Sequence, residues 1–510
     1  MLPSACKMLY LFSTSSRVQM RTDQSSFRTV SSLVLLAFLV VSCSNEQTDS
    51  TSTETMTDSS VEAQVARLLP HQQMAKDFLR ELIEIDTTHS TGSTTIAAEA
   101  MAAHLIAEGF AAEDVQVLGP SENKGNLVIR YRGRDVGRKP LLLLAHIDVV
   151  EADPADWTLD PFTFTEQDGY YYGRGTTDDK DEAAIHVANL IRLKREEFQP
   201  DRDIIVALTA DEEGGPENGV IWLLENHPDL IDAEYALNEG GGGTIRDGIH
   251  ISNGVQASEK VYQSFTLEVT NPGGHSSLPV RDNAIYRLAD ALIRIRGYDF
   301  PVALNEVTQI FFERSAEIED GELADAMRGI LKYPPDPAAI AYLSRKPFYN
   351  SRLRTTCVAT MLDAGHAENA LPQRAQALVN CRVLPGESTE AVQATLVTVI
   401  GDTQVTVTPV ADATPSAPSP LTPEVLGAIE GVTEEMWPGV PVIPIMSAGA
   451  TDGLFLRNAG IPVYGVSGLF SDIEDNRAHG QNERILIKSY FEGQEFLYRL
   501  MTRLSRSDED

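Results

Sequence analysis

Leu141-Leu142-Leu143-Leu144-Ala145-His146-Ile147-Asp148, followed further on by Gly173-Arg174-Gly175-Thr176-Thr177-Asp178-Asp179-Lys180, is the stretch from which the fold can be read. Four consecutive leucines suit a strand buried on both faces. The strand runs into a histidine, with a carboxylate two residues on. Side chains alternate along an extended chain, so His146 and Asp148 face the same way. A carboxylate beside a histidine can hold the ring in one tautomer and raise its basicity toward a metal. Gly173 and Gly175 permit a tight turn ahead of the acidic pair Asp178 and Asp179.

Such a pair at one strand end is more often a polar terminus than a ligand pair. Similar pieces recur, however. Ile204–Leu208 leads to Asp211-Glu212-Glu213-Gly214-Gly215, Ala236-Leu237-Asn238-Glu239 runs into four glycines, and Ala478-His479-Gly480-Gln481-Asn482-Glu483 lies near the end. Each acid or histidine follows an apolar run or sits beside glycine, where open α/β sheets place their sites.

The surrounding pattern agrees. Phe78, Leu79, Leu82 and Ile83 recur at helical spacing, and further helices are expected at about 94–108, 182–195 and 219–225. They alternate with short apolar strands, the βαβα order of a mixed or largely parallel sheet covered by helices. From Val261 the texture changes to alternating strands (Ser264–Thr270, Thr355–Leu362, Ala375–Val383), one helix over Ala284–Arg296 and a Pro/Ser/Thr-rich return at 411–423. That is the signature of a separate α+β layer.

Taken together, these motifs resemble the co-catalytic dizinc metallopeptidases that include glutamate carboxypeptidase, vacuolar carboxypeptidase S, aminoacylase, the carnosine dipeptidases and succinyl-diaminopimelate desuccinylase. The resemblance covers roughly residues 70–500. It implies an α/β, phosphorylase/hydrolase-like zinc peptidase domain with helices on both sides of a mixed sheet. Into this is inserted an α+β lid, or dimerisation, domain. The corresponding boundaries are 63–257 and 411–510 for the catalytic domain and 258–410 for the lid.

Residue by residue, the resemblance makes His146 a terminal ligand and Asp178 the carboxylate bridging two metals. Glu213 and His479 become ligands of the other metal, and Glu239 the last terminal ligand. Glu212 matches the general base and Asp148 the acid behind the first histidine. Two Zn²⁺ per chain are implied, and the same nitrogen and oxygen donors accept Co²⁺ or Mn²⁺. Two divalent ions balance Asp178, Glu213, Glu239 and a hydroxide. Without them these acids would repel one another.

His275, in Gly273-Gly274-His275-Ser276-Ser277, matches the lid histidine that reaches a reacting centre, across the subunit interface in dimeric members. Asn369 and Arg382 match the lid pair that grips a substrate carboxylate, and Ser447–Gly453 the segment lining the pocket floor. Asp181 stands where many relatives have glycine. Its expected effect is on the helix start, where an acid is favourable.

The expected activity is hydrolysis of an amide next to a free carboxylate, by carboxypeptidase or dipeptidase chemistry, on a peptide or, alternatively, an N-acyl amino acid. A homodimer through the lid is left open. The rival reading is a peptide-binding lipoprotein with no catalysis. Against it stands Glu212, since a binder has no need of an unliganded base beside a ligand.

The net charge of −33 repels phosphate backbones and argues against a nucleic-acid partner. Arginines followed by Leu33–Val41 suit a signal peptide over 1–42, too short to span a bilayer as a helix. Val40-Val41-Ser42-Cys43 resembles a bacterial lipobox. The expectation is export to the periplasm, with lipidation of Cys43 and Ser44 directing the protein to the outer membrane. Translation could begin at Met20. Residues 43–62 read as a polar tether. Cys357 and Cys381 lie in strand-like runs, and their spacing leaves open whether they bond.

Overall fold

The computed structural model describes residues 67–135 and 137–506. The signal peptide, the lipidated Cys43 and the tether of the sequence reading lie outside the described residues. A ten-stranded mixed sheet dominates the described residues. At its centre Leu141–His146 runs parallel to both Ile204–Thr209 and Tyr235–Asn238. Val463–Gly465 extends the parallel set, while Asn126–Tyr131 pairs antiparallel on the other side.

The leucine run is explained by what covers it. Leu141, Leu143 and Ala145 belong to one apolar cluster, shared with the helices Pro70–Glu84, Lys180–Arg195 and Ile487–Leu504. Leu142 and Leu144 belong to another, with Val220 and Leu223 of the helix Gly219–Asn226 and Leu456 of the helix Gly453–Asn458. Alternation sends neighbours to opposite faces, and both faces are dry, so every position must be apolar. The helix after Asp179 begins at Lys180, two residues earlier than expected.

A second sheet takes the strand order Thr356–Ala364, Arg374–Val383, Val261–Thr270, Thr406–Pro409. All its pairings are antiparallel. The helices Ala284–Arg296 and Thr389–Ile400 close its apolar face. Cys357 and Cys381 are direct cross-strand partners there and are joined by a disulfide, which settles what their spacing left open.

Four helices between Glu306 and Leu353 belong to neither periodicity noted in the sequence. They fall inside the 258–410 span yet pack against the main sheet. Phe312, Met327 and Leu343 share a cluster with Ile443 of the Val442–Ser447 strand. Arg314 donates to the Val442 carbonyl at 2.6 Å.

Candidate functional site

The three central parallel strands end side by side, and each hands one group to the same point. His146 is the last residue of its strand, Asp211–Glu213 follow Ile204–Thr209, and Glu239 follows Tyr235–Asn238. Strand order alone therefore brings together residues far apart in the chain. Asp178 arrives from the turn before the helix Lys180–Arg195, and His479 from the loop between the strands Phe470–Asp472 and Arg484–Leu486.

Asp178 lies between the two histidines. Its Oδ1 is 3.0 Å from His146 Nε2, and its Oδ2 is 3.0 Å from His479 Nε2. The same His479 nitrogen is 2.9 Å from Glu213 Oε1. Ligand atoms of His146, Glu212 and Glu239 lie within 4.8 Å of one another, as do those of His146, Asp178 and Glu213. One carboxylate facing a histidine on each oxygen, with further carboxylates on both sides, is a donor set that fits two metal ions with Asp178 between them. Glu212 belongs to the cluster by position, so geometry alone does not set it apart from the ligands.

Two loops in the site adopt backbone that L-residues seldom use. Asp211 has φ +55° and His479 φ +61°. Both are held by buried ion pairs. Lys124 Nζ meets Asp211 Oδ1 at 2.5 Å. Arg174 meets Glu483 at 2.6 Å, and Glu483 also accepts the backbone N–H groups of Gly175 and Thr177. The second pair ties the loop carrying His479 to the turn carrying Asp178.

Asp148 does part of what was expected and more: against the effect of burial, its carboxylate raises the basicity of His146. The Nδ1 of His146 is 3.1 Å from the Asp148 backbone carbonyl, while the Asp148 carboxylate stands 3.6 Å off. The carbonyl fixes the ring. The carboxylate also accepts the backbone N–H groups of Glu212, at 3.1 Å, and Glu213, at 3.0 Å. One side chain thus aligns both adjacent acids.

Without a cation the cluster is electrostatically frustrated. Burial, followed by repulsion from Glu239, Asp452 and Glu213, pushes Glu212 up to about 10. Burial and Asp178 raise Glu213 to about 7, and burial with Asp178 and Glu182 raises Glu239 to about 8. Asp178 goes the other way: burial opposes its charge, but hydrogen bonds from His146 and His479 hold it well below the usual carboxylate range. Its hydrogen bond raises His479 to about 9. Divalent ions among these groups would favour the ionised acids.

The remaining predicted residues sit on or beside the second sheet. Gly274–His275 pairs with Ala370–Leu371, setting His275 opposite Ala370, next to Asn369. The Asn369 carbonyl accepts the Ser276 N–H at 2.9 Å. His275 Nδ1 is 2.7 Å from Ser277 Oγ and makes no hydrogen bond to the metal-binding cluster. Arg382 lies over the Tyr262 ring, 4.7 Å from its centroid, and forms no ion pair among the described residues. In the segment Ser447–Gly453, Thr451 donates to Glu259 at 3.1 Å.

Three contributors escaped the sequence reading. Lys124 is an isolated lysine in a connection, and nothing local marks it. Asp452 lies inside the quoted pocket-floor segment and is buried, accepting from Asn218 at 2.6 Å. Its own burial pushes its carboxyl up to about 7. Asn218 also accepts from the Ile221 N–H as an N-cap, the one role its place before a helix could suggest.

Residues 142–503 match peptidase family M20/M25/M40. The chain is 29% identical over 392 residues to the human N-fatty-acyl-amino acid synthase/hydrolase PM20D1, covering 74% of this chain and 76% of that one. It is 30% identical to a probable carboxypeptidase S-like 2 of Dictyostelium discoideum, covering 74% of each. In fold it resembles an M20 family metallo-carboxypeptidase from Sulfolobus solfataricus, with a TM-score of 0.63 at 19% identity over 84% of this chain and 99% of that one. Human carnosine dipeptidase 1 gives 0.60 at 17% identity, over 85% and 96%.

Proposed function

The chain belongs to peptidase family M20/M25/M40 and is a metal-dependent hydrolase, and from that premise we propose that two zinc ions held by His146, Asp178, Glu213, Glu239 and His479 serve the cleavage of an amide bond next to a free carboxylate. The observation that carries this reading is Asp178, with a histidine on each oxygen and carboxylates on both sides. Imidazole with carboxylate suits zinc. Bound there, such ions supply Lewis acidity and bring the pKa of water near 7.

The chain's own groups do the rest. Glu212, aligned through its N–H by Asp148, takes a proton from the attacking water and returns it to the leaving amine. Arg382, with no acid partner among the described residues, offers a planar fork to the substrate carboxylate, and Asn369 adds an amide. His275 is the donor for the developing oxyanion. The name of the human relative specifies N-fatty-acyl-amino acids, and that of the Dictyostelium relative a carboxypeptidase. An amide with a carboxylate on its amine side is common to both chemistries. Zinc-loaded protein assayed on dipeptides, longer peptides and N-acyl amino acids tests the reading, and failure to hydrolyse any of them overturns it.

Two further proposals concern the protein's setting. Export and anchoring at a lipidated Cys43 rest on the sequence motif, and mass spectrometry of the native N-terminus tests them. No described helix is long and apolar enough to cross a membrane. Dimerisation draws support from Thr356–Ala364, an edge strand that exposes Val358, Met361 and Leu362. An unpaired apolar edge invites a second copy across a two-fold axis. Light scattering that finds only monomer would exclude it.

A further inference from the structure

A cavity of about 550 Å³ opens beside the metal-binding cluster. Asp178 and Glu239 form part of its wall, and so do two acids that no step above employs, Asp181 and Glu182. Asp181 is 1% and Glu182 5% exposed. The Asp181 Oδ1 and Glu182 Oε2 atoms are buried and have no hydrogen-bond partner. The expectation that Asp181 serves the helix start accounts for half of this side chain: its carboxyl interacts with the backbone N–H groups of Asp181 and Glu182. The other oxygen is left over.

A buried carboxylate oxygen without a partner is costly, and two adjacent ones more so. Among the described residues neither acid takes part in an ion pair, and the hydrogen bond from Ser467 to Glu182 brings no charge. Lys180, next in sequence, spends its ammonium on the carbonyls of Leu82 and Ile85. The basic groups of the wall are committed elsewhere. Arg477 and Arg484 both bind Asp475 at 2.7 Å, and Lys488 faces Glu492 at 3.6 Å.

We propose that this cavity is a recognition site for a cationic group of the substrate, an ammonium or guanidinium, received by Asp181 and Glu182 while the scissile amide lies at the neighbouring cluster. A further metal ion fits less well, because among the described residues no group of three ligand atoms includes either acid. An organic cation brings its own hydrogen-bond donors to both oxygens, and the volume accommodates a side chain the length of lysine or arginine. The connection Gly240–Gly242, which carries no side chains, lines the wall beside Glu239. The proposal deepens the hydrolase reading by naming a substrate class, and it rests on that reading for the place of the amide.

The test uses the zinc-loaded protein. Calorimetry compares n-butylguanidinium, which stays charged and does not coordinate zinc, with 1-pentanol. The guanidinium is expected to bind at least about tenfold more tightly, and Asp181→Asn or Glu182→Gln, both isosteric, should each remove most of that difference. Equal binding of the two probes, or a preference unaffected by both substitutions, overturns the site. In kinetics, kcat/KM on lysyl dipeptides relative to norleucyl dipeptides, with the varied residue on either side of the amide, is expected to exceed about ten and to fall to about one in Asp181→Asn. If neither dipeptide set is hydrolysed, the dipeptidase form of the hydrolase reading fails, while the calorimetric comparison still decides the cation site.

Discussion

His146 is 2% exposed and engaged on both ring nitrogens, whereas His275 is exposed and holds only its neighbour Ser277. The contrast extends to their surroundings. Around His146 the acids are half-buried, aligned by Asp148 and Lys124, and close enough to disturb one another's protonation. Around Arg382 and Asn369 the side chains have donors to spare. A preorganised centre stabilises charge without rearranging at the moment of reaction. Groups with unspent hydrogen-bonding capacity discriminate between ligands, because only the right ligand satisfies them. On the proposed function the first region serves chemistry and the second selection, and each assignment can be broken separately.

The largest effect is expected from Glu212→Gln. Turnover should fall by about 10²–10⁴-fold with zinc retained, because glutamine keeps the shape but cannot accept the proton. Glu213→Gln should instead weaken one metal. Measuring zinc content and kcat for both variants distinguishes base from ligand, and the opposite pattern would exchange their roles.

Lys124→Met probes the preorganisation itself. It leaves the buried Asp211 carboxylate with only His89, 3.6 Å away. Stranding such a charge costs about 3–5 kcal/mol, to be read from urea unfolding. An unchanged midpoint would mean that the loop does not depend on the pair.

The same frustration makes metal uptake dependent on pH. Burial and neighbouring acids raise Glu213 to about 7 and Glu239 to about 8, and hydrogen bonding to Asp178 raises His479 to about 9. At pH 6 all three groups carry a proton that an incoming ion must displace. Zinc affinity is therefore expected to rise by about tenfold or more per pH unit between pH 6 and 7, as followed by chelator competition. A flat profile would show that the groups are not ligands.

Arg382→Ala addresses the other region. Loss of a charge-assisted fork is worth about 1.5–3 kcal/mol on substrates with a free carboxylate, with metal content unchanged. An equal loss on amidated substrates would make Arg382 structural.

The sequence disclosed these two regions unequally. His146, Glu212, Glu213 and Glu239 were legible because apolar runs end at them, and in a sheet of parallel neighbours all such ends lie together. Asp178 and His479 needed the family resemblance, since a turn and a late loop carry no periodicity. Lys124 was invisible because its partner lies across the fold, and the disulfide because register, not spacing, sets Cys357 opposite Cys381. The helices between Glu306 and Leu353 went unread. Inside a segment taken for a separate layer, their apolar faces gave no hint of packing against Ile443. Asp181 stands in the first turn of its helix, as read, but sequence could not show that its second oxygen is left without a partner.

The smallest effect, and the one that best defines the selecting region, is expected from Asn369→Ala. The side chain is exposed, and its residue's link to the His275 strand runs through the backbone carbonyl that accepts from Ser276. Alanine preserves that link, so thermal stability and zinc content should not move. What is lost is one neutral amide donor to the substrate, about 0.5–1.5 kcal/mol, seen as a rise in KM of several-fold at most. The decisive measurement is the double-mutant cycle with Arg382→Ala. If the two side chains hold one carboxylate, removing the arginine lets that carboxylate drift from Asn369 as well, and the double variant should lose less than the sum of the single losses. Strict additivity would mean that Asn369 and Arg382 serve different parts of the substrate, and that the second sheet selects on two features, not one.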